Sequence, residues 1–290
     1  MKIFVPATSA NMGPGFDCLG TAVSMFLELD VLETSDKWFV EHDMSGISHD
    51  ESNESNLIVK TALELAPKLT PHRLSVKSQI PLSRGLGSSS TAIVAGIELA
   101  NQLANLNLSQ QDKCRIAAKI EGHPDNVMPA ILGGMVVASK LEDQYYFQEL
   151  PLIPFDFVAY IPNYELDTKA SRNALPEKLP FKNATHASSI LGTLTASLAL
   201  QDYGTAKKLI EADEFHEPYR QKLVPELVKI REIAHQHEAF ATYLSGAGST
   251  VMTIIEHSRT EEFIASLRKA GLDDRIEQLK ASSQGVFIEE

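Results

Sequence analysis

A glycine- and hydroxyl-rich segment at residues 81–91, PLSRGLGSSST, has the composition of an anion-binding loop. Before it, Leu74, Val76 and Ile80 alternate with polar residues, which predicts a half-buried strand. After it, apolar residues recur at helical spacing, which predicts a helix that begins at about Ser88. The unpaired N–H groups of that helix would face a turn from which two glycines remove side-chain bulk. This arrangement favours a bound anion, most often a phosphate.

Two common nucleotide-binding loops are excluded. The Walker pattern needs a Gly-Lys dipeptide, which the chain lacks. The dinucleotide-binding pattern needs a third glycine at the position of Ser90. A serine-capped turn without any ligand is the alternative interpretation, and the local pattern leaves both open.

Two further segments stand out, at residues 6–20 (PATSANMGPGFDCLG) and 244–250 (LSGAGST). Together with residues 81–91, and in this order, they resemble the three motifs of the GHMP kinases, which phosphorylate small molecules. The first motif, intact from Thr8 to Asp17, and residues 121–134 (EGHPDNVMPAILGG) resemble the homoserine kinase branch of that family. Ser249 departs from the pattern, because the family commonly has proline there.

The resemblance implies transfer of the γ-phosphoryl group of ATP to the side-chain hydroxyl of L-homoserine, a step of threonine biosynthesis. Phosphoryl transfer depends mainly on positioning and charge neutralisation. The resemblance implies that Mg²⁺ is held by Ser89 and Glu121, which are hard oxygen ligands. The residues expected to bind ATP are Leu82, Ser83, Arg84, Gly85, Leu86, Gly87, Ser88, Ser89, Ser90, Thr91 and Ala92.

A zwitterionic acceptor needs a carboxylate for its ammonium group and a cation for its own carboxylate. Arginine suits the second role, because its planar fork donates two parallel hydrogen bonds. The resemblance assigns the acceptor site to Asn11, Asp17, His123, Arg172 and Arg220.

The expected catalytic residues are Glu121, Asp125, Asn126 and Ser89. Asp125 has the chemical type of a general base. Direct transfer with little base assistance remains the alternative, because the transition state of phosphoryl transfer is loose. Residues 45–56, and Asn53 and Asn56 among them, are expected to border the nucleotide.

Two other functions compete with this one. Another GHMP kinase activity, on L-threonine or mevalonate, would use the same phosphate loop. A catalytically inactive relative that senses a ligand would have lost part of the phosphate or metal apparatus, yet Ser88, Ser89 and Glu121 are all present.

The composition is that of a globular protein without nucleic-acid or membrane partners. The chain has 290 residues, 43% of them hydrophobic and 22% charged, and a net charge of −12. Such a negative charge argues against binding to nucleic acid or anionic membranes. Only Cys18 and Cys114 are present, without metal-ligand spacing, so a cytoplasmic location is expected.

Strand and helix patterns mix without steady βαβ alternation, which favours an α+β fold. Two prolines, Pro151 and Pro154, mark a boundary between domains at residues 1–153 and 154–290. The resemblance implies an ATP-binding N-terminal domain like ribosomal protein S5 domain 2, a ferredoxin-like C-terminal domain, and a homodimer. Among the predicted elements are helices at 57–69, 110–121, 187–201 and 205–215 and strands at 155–161, 251–255 and 286–288.

Overall fold

The computed structural model describes residues 1–43 and 54–289, which form two β-sheets with helices packed against them. The strands are β1 (Lys2–Ala10), β2 (Leu19–Thr34), β3 (Phe39–Asp43), β4 (His72–Ser78), β5 (Met135–Leu141), β6 (Gln144–Leu150), β7 (Asp156–Ile161), β8 (Ala241–Leu244), β9 (Val251–Ile255), β10 (Arg275–Lys280) and β11 (Phe287–Glu289). The helices are α1 (Leu57–Leu65), α2 (Ser88–Leu103), α3 (Gln110–Glu121), α4 (Val127–Leu132), α5 (Thr168–Asn173), α6 (Phe181–Ala199), α7 (Tyr203–Ile210), α8 (Glu217–Arg220), α9 (Glu226–Gln236) and α10 (Thr260–Lys269). The α+β prediction is confirmed.

The first sheet is organised around β2, the long strand that follows the first glycine-rich segment. Its order is β11-β1-β2-β4-β3, and β5 pairs with the beginning of β2 and with β6. All pairs are antiparallel except β3 with β4. Because β2 is 16 residues long, β4 and β5 can pair with different parts of the same strand.

Helix α2 is the central helix of the first domain. Its residues from Ser90 to Asn101, except Ala92, are buried, because the helix lies between the sheet and its neighbours α1, α3 and α4. Gly96 allows α1 to approach closely, since an added Cβ would lie 2.5 Å from the carbonyl oxygen of Ile58. This packing holds the helix N-terminus, and the loop before it, in one position.

The second sheet has the order β10-β7-β9-β8 and is antiparallel throughout. Helices α5 to α9 connect β7 to β8, and α10 connects β9 to β10. This is the βαββαβ arrangement of ferredoxin-like domains. Helices α9 and α10 cover one face, where Ile230, Phe263 and Leu267 are buried. On the other face, Phe157 and Met252 join the same core cluster as the first domain, so the two cores are continuous.

Some predicted boundaries are right and others are not. The prediction for α3 and that for β9 match the observed residues, and α2 begins at Ser88 as expected. The helix predicted at 57–69 ends at Leu65, because Pro67 disfavours helical backbone at the residue before it. The helix predicted at 205–215 ends at Ile210, since Asp213 accepts hydrogen bonds from the amides that begin α8.

The last strand leaves the second sheet and returns to the first. In antiparallel pairing with β1, Lys2 is opposite Glu289 and Phe4 is opposite Phe287. Residues 287–289 therefore extend the N-terminal sheet, although the predicted division assigns them to the C-terminal domain. The division at residues 153 and 154 otherwise stays a prediction. None of the described helices is long and apolar enough to cross a membrane.

Candidate active site

A cavity of about 420 Å³ lies where the three glycine-rich segments meet. The N-terminus of α2 forms one wall, and the turn between α3 and α4 forms another. Residues from both domains reach it, among them Asp17 from the first domain and Arg172 and Arg220 from the second. The three segments, far apart in sequence, thus form a single site.

Two glycines shape the loop before α2. Gly85 and Gly87 have φ angles of 77° and 71°, in the left-handed region that favours glycine. A Cβ on Gly85 would lie 2.2 Å from the carbonyl oxygen of Ser245, and one on Gly87 would lie 2.2 Å from Oγ1 of Thr8. The first and third segments therefore touch this loop at its glycines. No side chain caps the N-terminus of α2, which suits an anion-binding role for its first amides.

Most of the residues predicted to bind ATP line the cavity, but Leu86 and Thr91 do not. The side chain of Leu86 is fully buried in the core, and its carbonyl accepts a hydrogen bond from the amide of Thr8. Thr91 is also fully buried and donates its hydroxyl to the carbonyl of Ser88. Both side chains are buried in the interior, so only their backbone groups remain for the predicted contact with ATP.

Arg84 lines the cavity, but its guanidinium is engaged by the protein. Its Nε donates to the carbonyl of Pro162 at 3.0 Å and its Nη2 to that of Asn163 at 2.8 Å. Nη1 donates to the carbonyl of Leu82 at 3.0 Å. This arginine therefore ties the loop before α2 to the end of β7, and its role in binding ATP stays a prediction.

Glu121 meets the helix N-terminus through a serine. It is the last residue of α3, which ends because Gly122 adopts a left-handed conformation. Its Oε1 accepts a hydrogen bond of 2.7 Å from Oγ of Ser90, and Ser88 and Ser89 line the same cavity. Carboxylate and hydroxyl oxygens thus share one wall of the cavity, which fits the hard ligands that Mg²⁺ prefers.

At the other end of the cavity, Asp17 forms an ion pair with Arg172. Nη1 and Nη2 of Arg172 lie 3.0 and 2.8 Å from the two carboxylate oxygens. Asn11 holds the loop that carries Asp17, since its Oδ1 accepts the amide of Asp17 and its Nδ2 donates to the carbonyl of Gly246. The Asn11 amide is therefore engaged in joining the first and third segments.

Arg220 differs from Arg172 in its surroundings. Its side chain is 1% exposed, and its hydrogen-bond partners are neutral: the carbonyls of Ser171 and Gly246 and Nδ1 of His216. Among the described residues, no carboxylate forms a salt bridge with it. Burial, together with the nearby charge of Arg172, outweighs the opposing charges of Asp17, Asp213 and Asp125 and lowers the pKa of Arg220 to about 10. A buried cation without a direct ion pair is costly, so the side of Arg220 that lines the cavity favours an anionic ligand.

His123 and Asp125 form a second charged pair in the turn after α3. Nδ1 of the imidazole lies 2.7 Å from Oδ1 of Asp125, which is 3% exposed. Burial opposes protonation of His123, but its hydrogen bond to the carboxylate of Asp125 and the charges of Asp125, Asp17 and Glu121 prevail and raise its pKa. Ligand atoms of Asp17, His123 and Asp125 lie within 4.8 Å of one another. Within this group, Asp17 is already paired with Arg172 and Asp125 with His123.

Asn126 lies directly before α4 and is oriented by the first segment. Oγ1 of Thr8 donates to Oδ1 of Asn126 at 2.9 Å. Because the amide oxygen is engaged, the NH₂ group of Asn126 remains to donate into the cavity that this residue lines.

Comparison with known proteins identifies the family of this chain. Residues 56–134 match the model of the GHMP kinases N-terminal domain, and residues 194–273 match the GHMP kinases C-terminal model. The chain belongs to the GHMP kinase family. A curated homoserine kinase of Lactobacillus gasseri is 97% identical over 289 residues, all of both chains, and one of Lactobacillus acidophilus is 54% identical over 99% of both. A solved structure from Listeria monocytogenes, assigned to the homoserine kinases, has a TM-score of 0.87 at 42% identity and covers 99% of each chain.

In this GHMP kinase, sequence reasoning missed the apolar end of the cavity and Phe16. Leu27 and Val76 come from neighbouring strands of the first sheet, and Ile58 comes from α1. Alternation marks such residues as inward-facing, but only the register of β2 against β4 brings them together. The ring of Phe16 lies 5.2 Å from the guanidinium carbon of Arg220.

The segment predicted to border the nucleotide is described only in part. Asn56 lines the cavity and caps α1, where its Oδ1 accepts the amide of Ile58. The remainder of the predicted segment, residues 45–53 with Asn53 among them, lies outside the described residues.

Proposed function

We propose that this GHMP kinase transfers the γ-phosphoryl group of ATP to the side-chain hydroxyl of L-homoserine, and so supplies O-phospho-L-homoserine for threonine biosynthesis. The observation that carries the proposal is the buried Arg220, which lines the cavity and forms no salt bridge among the described residues, while the Asp17–Arg172 pair lies nearby. An α-amino acid carries a carboxylate that would meet Arg220 and an ammonium group that would meet Asp17. The naming of its relatives as homoserine kinases supports the same substrate.

We propose roles for the chain's own groups in this reaction. The amides at the N-terminus of α2 bind the phosphates, and Asp17 binds the ammonium group of the acceptor. Arg220 binds the acceptor carboxylate, and the NH₂ group of Asn126 donates to the acceptor hydroxyl. These contacts place the hydroxyl oxygen near the γ-phosphorus, and such positioning supplies much of the catalysis in phosphoryl transfer.

We propose that Mg²⁺ is held by Glu121 and Ser89, with Ser90 fixing the rotamer of Glu121 through their hydrogen bond. When bound, the metal would neutralise charge on the phosphates. Isothermal titration of the protein with Mg²⁺ and ADP, compared with the same titration of Glu121→Gln, tests this assignment. Equal metal dependence in the two proteins would contradict it.

The fate of the acceptor proton separates two mechanisms. In one, Asp125 accepts the proton; in the other, transfer is direct and the proton leaves with the product phosphate. The Asp125→Asn variant distinguishes them by kinetics. A collapse of kcat with little change in KM identifies a base, whereas a change in KM alone identifies a positioning role.

An acceptor panel tests the proposed function directly. The protein is given ATP and Mg²⁺ with L-homoserine, L-threonine or mevalonate, and ADP release is measured. We expect the highest kcat/KM for L-homoserine, because mevalonate has no ammonium group for Asp17. Phosphorylation of mevalonate but not of L-homoserine would contradict the proposal, and no transfer to any acceptor would favour a ligand-sensing role.

We also propose that the enzyme is a cytoplasmic homodimer, as its family resemblance implies. Both cysteines are free, which is compatible with a reducing compartment. Size-exclusion chromatography should give an apparent mass twice that of the chain, and a monomer mass would contradict the dimer. Cell fractionation tests the location.

A further inference from the structure

We propose that His216 is a positioning residue for the acceptor carboxylate, which it serves by holding Arg220. The inference rests on the proposed function. His216 is fully buried, comes directly before α8 and does not line the cavity. It lies four residues before Arg220, so one turn of chain separates the imidazole from the guanidinium.

Hydrogen-bond donors and acceptors determine the state of this imidazole. Nδ1 of His216 lies 3.2 Å from Nη1 of Arg220. Because arginine can only donate, Nδ1 must accept. Nε2 lies 3.0 Å from the carbonyl oxygen of Gly13 and 3.4 Å from Oδ2 of Asp213, and both of these accept. This geometry assigns the ring proton of His216 to Nε2, since a proton on Nδ1 would face the guanidinium.

This arrangement engages three of the five N–H donors of Arg220. The N–H of Nε goes to the carbonyl of Ser171, and the two N–H groups of Nη1 go to Nδ1 of His216 and the carbonyl of Gly246. Within the described chain, no acceptor is assigned to Nη2. Two of the five N–H donors of the fork thus remain for a ligand. Because none of these partners is a carboxylate, no direct ion pair within the described chain cancels the positive charge.

His216 also connects Arg220 to the segment that carries Asp17. Gly13, whose carbonyl accepts from Nε2, lies four residues before Asp17 in the first glycine-rich segment. The ring of Phe16 packs on the imidazole with centroids 5.4 Å apart and lies over the guanidinium of Arg220. The imidazole therefore sets the distance between the group that binds ammonium and the group that binds carboxylate.

Hydrogen bonds to Asp213 fix the backbone on both sides of His216. The carboxylate of Asp213 accepts hydrogen bonds from the amides of Phe215, His216 and Glu217, at 2.8, 2.9 and 2.7 Å. These bonds fix the backbone where α8 begins, as a capping residue does. With both backbone and ring fixed, the direction of the Arg220 fork is determined before any ligand binds, which lowers the entropic cost of binding.

Two substitutions distinguish the roles of the two imidazole nitrogens. In His216→Asn, the amide oxygen can take the place of Nδ1, so the acceptor for Arg220 is kept and the donor to Gly13 is lost. In His216→Gln, the amide nitrogen can take the place of Nε2, so the donor is kept and the acceptor for Arg220 is lost. We expect His216→Gln to raise KM for L-homoserine about tenfold or more, because a hydrogen bond to a charged group is lost. KM for ATP and kcat should change by less than about twofold, and His216→Asn should resemble the wild type more closely.

Equal losses in both variants, or an equal rise in KM for ATP, would overturn the inference. The wild-type acceptor panel tests the proposed function separately, because it needs no variant. If neither variant folds, nitrogen NMR of the ¹⁵N-histidine-labelled wild-type protein at neutral pH still tests the inference. The neutral form protonated at Nε2 supports it, and a charged or Nδ1-protonated His216 overturns it.

Discussion

At the scale of single residues, the two arginines of the acceptor site have different states. Arg172 is paired with the carboxylate of Asp17, which raises its pKa. Arg220 is buried among neutral partners, and burial lowers its pKa. Both are arginines in polar segments of the sequence, so residue type alone does not separate them. We therefore propose that Arg220 contributes more to acceptor binding than Arg172 does.

Arg220→Lys should raise KM for L-homoserine by about ten- to a hundredfold, because lysine keeps the charge but loses the fork that three neutral acceptors hold. KM for ATP should stay near the wild-type value. Steady-state kinetics with each substrate varied in turn measures both constants. Arg172→Lys is the matched comparison, and a larger effect there than at Arg220 would contradict the ranking.

The His123–Asp125 pair should make stability depend on pH. The folded-state pKa of His123 is raised above its ordinary value of 6.5. Its contribution to the free energy of unfolding is thus fully present below about pH 6.5 and is lost as pH rises through the folded-state pKa. The difference in Tm between the wild type and His123→Asn should therefore shrink from about pH 6 to about pH 9. Thermal denaturation in a pH series measures it, and a difference that grows with pH would contradict the prediction.

At the scale of elements, the decisive feature is the junction between α2 and the loop at residues 81–87, where we propose that phosphate binds. Gly85 and Gly87 are required for two reasons. Both have a left-handed backbone, and Ser245 and Thr8 approach them too closely for a side chain. The helix that follows is held by its buried faces, so its N-terminus cannot move to relieve a clash. A small change in this loop should therefore affect both folding and ATP binding.

Gly87→Ala should destabilise the protein by at least about 1–2 kcal/mol from backbone strain alone and should lower kcat/KM for ATP. Gly192→Ala is the matched control, because Gly192 lies inside α6 and its Cβ would meet no atom within 4 Å. Alanine there should stabilise the helix by up to about 1 kcal/mol. Urea denaturation of both variants measures the pair. Similar effects at the two glycines would show that the loop is less constrained than its contacts indicate.

At the scale of the whole molecule, the end of the chain ties the second domain back to the first. After β10, the amide of Ser282 donates to the carbonyl of Ala22, and the amide of Val286 donates to that of Ala130. The ring of Phe287 then stacks on Phe4 with centroids 4.8 Å apart. The tail thus runs along the first domain before β11 completes its sheet.

Phe287→Ala should lower the free energy of unfolding by about 1–3 kcal/mol, because a half-buried aromatic contact is removed. Ile288→Ala is the matched control on the same strand, since its side chain is 36% exposed and should contribute less. Urea denaturation gives both values. A loss at Ile288 as large as that at Phe287 would contradict the assigned role of the aromatic contact.

The fold could be predicted in large part where local patterns are strong. Helix α3 has a capping box at Ser109, and β9 is a buried apolar run, and both were predicted with the observed bounds. Strands β3 and β10 were missed, because they lie at the edges of their sheets and carry no clear alternation. Their pairing depends on the neighbouring strand more than on their own residues.

Within the candidate site, the segments were predictable but the orientation of their side chains was not. Leu86 and Thr91 belong to the phosphate loop and its helix by sequence, yet they point into the core. Arg84 has the charge expected of a phosphate ligand, but three carbonyls engage it. Which face of a loop meets a ligand depends on how the loop packs, and packing involves residues far away in the chain.

The sequence by itself determined that a glycine- and serine-rich turn leads into a helix, and three such segments in order identified the family. Glycine spacing and helix periodicity are local properties, so they can be read without a structure. Only the tertiary structure decided that Arg172 is paired while Arg220 is not, and that His216 supports Arg220. Pairing and burial arise from contacts between distant segments, and these contacts determine where charge remains available for a ligand.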